Sequence, residues 1–169
     1  MDYKPFSERE YRKNDERAKH AGTKFLVQKG CILRFFDIEF YKDKDFSVSY
    51  GGQSFDVEVE VKNIWKVSGV WLGYRTVSVP ARKRDSISDI YILFNNSLNT
   101  LLYCPMKDVL ESKVIRKDTN KGTEDEPFFD VHITKFRMEA LNSKGIWEEK
   151  VSFGGKSIKE ILEEREEND

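Results

Sequence analysis

In the run SFDVEVEVK (54–62), Asp56, Glu58, Glu60 and Lys62 alternate with Phe55, Val57, Val59 and Val61. A period of two puts the charged set on one face of a strand and the apolar set on the other. Upstream, FSVSY (46–50) also alternates, and Gly51-Gly52 supplies a two-residue hairpin turn. That turn sets Tyr50 opposite Gln53, which carries Asp45 opposite Glu58 and diagonal to Glu60. Diagonal positions lie about 7–8 Å apart by Cα and closer at the side chains. Asp45 and Glu60 can therefore bracket one hard divalent cation, with Glu58 as a further ligand. Mg²⁺ takes one or two carboxylates and keeps water and phosphate for its remaining positions. Lys62 shares the face and could hold an attacking water or stabilise charge developing on a phosphate.

The elements that must position these residues can be read on either side. Ser7 and Glu10 form a capping-box pair, and Tyr11, Ala18, Ala21, Gly22, Phe25 and Leu26 recur at helical spacing up to Gly30. This predicts an amphipathic helix over 8–29. CILRFFDIEFY (31–41) reads as a strand and Lys42-Asp43-Lys44 as a turn. Residues 63–85 hold no sustained period and predict a loop with short strand pieces. DIYILF (89–94) and LNTLLYC (98–104) read as paired strands, MKDVLES (106–112) as a short helix, 117–127 as a polar loop and FFDVHITKF (128–136) as a strand. Ser157 and Glu160 form a second capping box, which opens a terminal helix.

Asp45…Glu60-Val61-Lys62 behind a helix ending FLVQKG resembles the PD-(D/E)XK nuclease superfamily, the restriction-endonuclease-like fold. Two other ExK triplets, Glu111-Ser112-Lys113 and Glu148-Glu149-Lys150, lack the preceding hairpin. The resemblance covers roughly residues 8–112, and Lys44 stands where the family often has proline. It implies an α/β domain with a mixed central sheet flanked by helices. It also implies Mg²⁺ or Mn²⁺ at Asp45 and Glu60, Lys62 assisting phosphodiester hydrolysis, DNA as substrate, and homodimers where both strands are cut. The family often adds an acid from its first helix. With Ala18 at the centre of the apolar face, Asp15 falls at its edge and Glu16 nearly opposite, so geometry favours Asp15. Asp37 replaces Asp45 if the hairpin register differs.

A competing reading makes Asp56, Glu58, Glu60 and Lys62 the solvent face of a sheet. Three acids on one face repel, however, and a single lysine relieves only part of this. Rivals from other classes are a catalytically silent relative that binds nucleic acid or protein, and an unrelated accessory protein. Net charge is −1, yet residues 160–169 hold six acids and one arginine, which leaves the rest of the chain positive. Arg75, Arg82, Lys83 and Arg84 lie in an acid-free stretch suited to phosphate contact, or to a solvated turn. Trp65, Trp71 and Tyr74 could stack on bases or pack over a sheet edge.

The 169 residues suit a single domain, with a core at 8–112, a C-terminal elaboration at 113–160 and an acidic tail at 161–169. Two cysteines without a CxxC partner read as buried thiols of a reducing cytoplasm. Phosphate-cradling glycine motifs and a hydrolase triad around His20 or His132 are not evident, and no apolar run approaches a membrane span.

Overall fold

The computed structural model describes residues 8–36, 45–117 and 126–167. Helix α1 (Glu8–Gln28) leads into β1 (Ile32–Phe36), β2 (Phe46–Tyr50) and β3 (Gln53–Lys62). A crossover follows with β4 (Thr76–Pro80) and a 3-10 turn (Ala81–Asp85). Then come β5 (Ile90–Asn95), β6 (Thr100–Pro105), α2 (Met106–Leu110), β7 (Val114–Lys117) and β8 (Glu126–His132). The chain closes with β9 (Arg137–Leu141), β10 (Trp147–Ser152) and α3 (Ile158–Glu167). Ser7, Asp37 and the Lys42-Asp43-Lys44 turn lie outside the described residues.

Among the described residues the strands form a seven-stranded mixed sheet, ordered β1-β2-β3-β5-β6-β9-β10, and a three-stranded sheet, β4-β8-β7. Pairing is antiparallel except at β3 and β5. A parallel neighbour cannot be reached by a hairpin, so residues 63–89 must cross the sheet before β5 begins. That crossover carries β4 into the smaller sheet.

The mixed α/β architecture with a large sheet matches expectation, but helices do not flank both faces equally. One face packs Phe55, Val57, Val59, Ile90, Ile92 and Phe94 against α1 and α3. On the other face Tyr91, Leu93, Leu102 and Cys104 meet the smaller sheet, α2 and the crossover. Phe25, Phe46, Phe94, Tyr91 and Trp65 are fully buried. Each such side chain contributes roughly 1.5–3 kcal/mol relative to exposure. The second layer is thus largely sheet, built from β4, β7 and β8. The C-terminal strands are part of the same sheet, since β9 hydrogen-bonds directly to β6. Leu162 of α3, inside the segment read as an acidic tail, is fully buried.

Local chemistry explains the ends of the elements. After α1, Cys31 N–H bonds Leu26 O and Gly30 N–H bonds Val27 O, the paired contacts of a Schellman stop. At α3, Glu160 N–H donates to Ser157 Oγ and Ser157 N–H to Glu160 Oε1, which closes the capping box. Gly51 and Gly52 have φ of 57° and 81°, a left-handed pair that L side chains resist and that matches strand twist. Tyr50 consequently pairs with Gln53 and Phe46 with Val57.

Candidate functional site

Asp45 sits just ahead of β2, where its N–H donates to Val57 O. Its Oδ2 accepts from Val59 N–H at 2.8 Å, so the carboxylate caps the backbone of β3. Its Oδ1 lies 3.9 Å from Lys19 Nζ, and Lys19 is itself buried in α1. The helix, the hairpin and the acid are thereby tied together.

On β3 the odd residues face the α1 layer, so Asp56, Glu58, Glu60 and Lys62 face the smaller sheet. Glu58 is only 3% exposed on this face, while Asp56, Glu60 and Lys62 are half-buried. Glu58 pairs with Tyr91 across the parallel ladder and Glu60 with Leu93. Asp56 Oδ1 accepts from Ser47 Oγ at 2.5 Å, and Asp56 N–H donates to Asp89 Oδ2 at 2.8 Å. The fully buried Tyr91 donates its hydroxyl to Glu60 Oε1 at 3.2 Å. Burial first, then the charge of Glu60, holds the Tyr91 phenol well above the usual tyrosine range, so it stays a donor.

The crossover supplies the residue that sequence reasoning assigned differently. β5 starts opposite Val57, so the turn just before it arrives beside Glu58. From that turn Lys83 reaches inward and its Nζ lies 2.6 Å from Glu58 Oε2. A 3-10 turn rotates about 120° per residue, so the neighbours of an inward residue point away. Arg82 and Arg84 are accordingly exposed. They line an open groove of about 460 Å³ whose other charged residues are Arg116, Asp85 and Glu126. Of the basic residues read as phosphate contacts, Lys83 is thus paired with Glu58, whereas Arg82 and Arg84 are exposed. Arg75 precedes β4 and is exposed, with that strand between it and the other two arginines.

Electrostatically the acids and Lys83 form one group. Burial pushes the Glu58 carboxyl up to about 7, Asp45 and Glu60 push the same way, and Lys83 opposes them. Burial works against the Lys83 ammonium, but Glu60, Glu58 and Asp45 together hold its pKa above the ordinary lysine value. Lys62 is two residues beyond Glu60 on the same face, about 7 Å along the strand. Glu16 is half-buried in α1, and the side chain of Asp15 lies outside the described residues.

Trp65 and Trp71 do not present their rings for base stacking. Both are buried, in a T-shaped pair with centroids 5.0 Å apart. Their Nε1–H groups donate to Val70 O and Tyr74 O at 2.8 and 2.9 Å, which leaves Tyr74 as the exposed member of the trio.

Among the described residues, no three His, Cys, Asp or Glu side chains form a ready metal-ligand group. Asp45, Glu58 and Glu60 nevertheless suit a hard cation. All are carboxylate oxygen donors, the ligand type such a cation takes, although Lys83 and Lys19 already bring positive charge to Glu58 and Asp45.

No family model, no curated protein and no solved structure matches this chain. Among the described residues no helix is long and apolar enough to cross a membrane. Function must therefore be argued from the residues themselves.

Proposed function

We propose that this chain is a divalent-metal-dependent nuclease that hydrolyses phosphodiester bonds in DNA, of the kind the PD-(D/E)XK resemblance implies. The observation that carries the reading is buried Glu58 on β3, with Glu60 two residues along the same strand face and Asp45 held to the Val59 N–H of that strand, beside a turn whose Arg82 and Arg84 are exposed.

Asp45 and Glu60 would hold Mg²⁺ or Mn²⁺, with Glu58 as a further ligand. Bound there, the cation would polarise a phosphoryl oxygen and acidify a water. The chain's own residues do the rest. The Tyr91 hydroxyl fixes the orientation of Glu60, and the Val59 N–H fixes that of Asp45. Lys62, on the same strand face, would hold a water or stabilise negative charge on phosphate. Arg82 and Arg84 would grip the sugar–phosphate backbone, where guanidinium suits bidentate contact with phosphate.

One observation favours a second reading, a DNA-binding relative without catalysis. Lys83 already neutralises Glu58, as a resident cation would. Divalent-dependent cleavage of a panel of DNA structures by wild type and by Asp45→Asn separates the two. Cleavage that the substitution abolishes supports the nuclease, and its absence in folded wild type supports the silent relative.

A further inference from the structure

We propose that the loop 63–75 is a wedge for DNA whose bases are already unstacked, so that the substrate class is branched DNA rather than continuous duplex. The inference deepens the nuclease reading above and rests on its DNA-binding part.

The loop displays apolar side chains that the core does not use. Ile64, Val67 and Val70 are 54%, 55% and 58% exposed within one short stretch of chain. Tyr74 is 56% exposed, its ring in a T-shaped contact with Trp71. Single exposed valines are ordinary on a protein surface, but here the backbone is fastened so that the set stays outside. Lys62 O accepts from Trp65 N–H, Trp65 O from Asn96 N–H, and Val67 O from Asn95 Nδ2. Ser68 Oγ donates to Asn99 Oδ1, Gly69 N–H donates to Thr100 Oγ1, and Val70 O accepts the Trp65 indole N–H. Arg75 O, at the far end, accepts from Ile133 N–H. Folding the apolar side chains inward would break several of these bonds, each worth about 0.5–1.5 kcal/mol.

The chemistry around the loop selects the occupant. Residues 63–84 hold Lys66, Arg75, Arg82, Lys83 and Arg84 and no acid, and Lys66 and Arg75 are exposed on the loop itself. A partner for this surface must offer both negative charge and apolar faces, as a nucleic acid and an anionic lipid surface do. Loops that settle in lipid present tryptophan at the interface, whereas Trp65 and Trp71 are buried. An isoleucine to enter a base step, beside an aromatic ring to stack on, is the pattern of proteins that open or kink DNA. Position agrees. The loop begins directly after Lys62, and Arg82 and Arg84 follow the other end of the five-residue β4, about 17 Å away. That is about five nucleotide steps of one strand, so one DNA can reach both. Entering a stacked duplex costs a few kcal/mol per step, and a branch point has already met that cost.

The test is fluorescence anisotropy in EDTA with a four-way junction and a continuous duplex of the same sequence. Wild type is compared with a chain that combines Ile64→Ser, Val67→Ser and Val70→Ser. 2-Aminopurine beside the branch point reports unstacking. Wild type should bind the junction at least about tenfold tighter than the duplex, and the variant should lose that preference while its duplex affinity changes less than about twofold. Binding should raise the 2-aminopurine signal with wild type and not with the variant. Threonine at the same three positions, which keeps the branched shape, replaces serine if the serine chain melts lower. Wild type without a junction preference, or a folded variant that keeps it, would overturn the inference and leave the nuclease reading standing. Failure to bind either DNA at low salt would overturn both. Loop-dependent binding to vesicles of equal parts phosphatidylserine and phosphatidylcholine, without a junction preference, would overturn the wedge in favour of a lipid anchor.

Discussion

Lys83 Nζ lies 2.6 Å from Glu58 Oε2, and the two residues come from elements 25 positions apart in the chain. The contact follows from topology. β3 and β5 are parallel, so the chain between them must return across the sheet, and its last turn lands beside the middle of β3. Glu58, in the middle of a charged strand face, is buried here and acquires a lysine partner.

Stability should fall as pH rises through the titration of Glu58. The Glu58 carboxyl is pushed from 4.5 up to about 7 in the folded chain, so the folded state binds more protons than the unfolded one between those values. Unfolding free energy therefore drops across that window, by on the order of 3 kcal/mol in full. Urea denaturation from pH 4.5 to 8 should show this falling limb in wild type and a flatter curve in Glu58→Gln. Identical slopes in the two chains would contradict the burial of an ionisable Glu58.

Gly22→Ala should destabilise the chain although it replaces glycine within a helix. A Cβ at Gly22 would lie 2.9 Å from Val59 Cγ1 and 3.2 Å from the Phe46 ring, both in the core. Overpacking of this kind costs roughly 1–3 kcal/mol, against about 1 kcal/mol of gained helix propensity. A net loss of up to about 2 kcal/mol is expected by urea denaturation. A gain in stability would show that α1 does not press on β2 and β3 as described.

DNA affinity should depend on salt through the outward arginines. Arg82→Ala and Arg84→Ala should each weaken binding across unrelated sequences and lower the slope of log affinity against log salt by about 1. Arg75→Ala, beyond β4, should change the slope less. Equal slopes in all chains, measured by fluorescence anisotropy in EDTA, would remove the 3-10 turn from the DNA contact.

Much of the frame was legible because its signals are local. The Gly51-Gly52 turn and strict alternation fixed the register of β2 and β3, and two capping motifs marked the end of α1 and the start of α3. The β9–β10 hairpin was not legible, because its residues carry the wrong signals. Met138, Glu139 and Ala140 favour helix, and Glu148, Glu149 and Lys150 on an exposed edge strand show no alternation. β4, β7 and β8 form their own sheet through pairings distant in sequence, and β4 and β7 are only five and four residues long.

For the site, the adjacency of Asp45 to Glu58 could be counted from the turn. The role of Lys83 could not. In an Arg-Lys-Arg run every residue looks equally wet, and only the phase of the 3-10 turn decides which one faces in. Trp65 and Trp71 misled for a related reason. A glycine-broken loop suggests exposure, yet carbonyls of that same loop accept both indole N–H groups and allow the rings to be buried.

The most direct measurement is divalent-dependent cleavage of duplex, single-stranded, flapped and four-way-junction DNA by wild type, Asp45→Asn, Glu60→Gln and Lys62→Ala, with EDTA as control. The account predicts cleavage of at least one of these substrates with Mg²⁺ or Mn²⁺, none in EDTA, and a loss of at least about a hundredfold in each variant. Folded wild type that cuts none of the substrates at millimolar Mg²⁺ or Mn²⁺, or cleavage that survives all three substitutions, would contradict it.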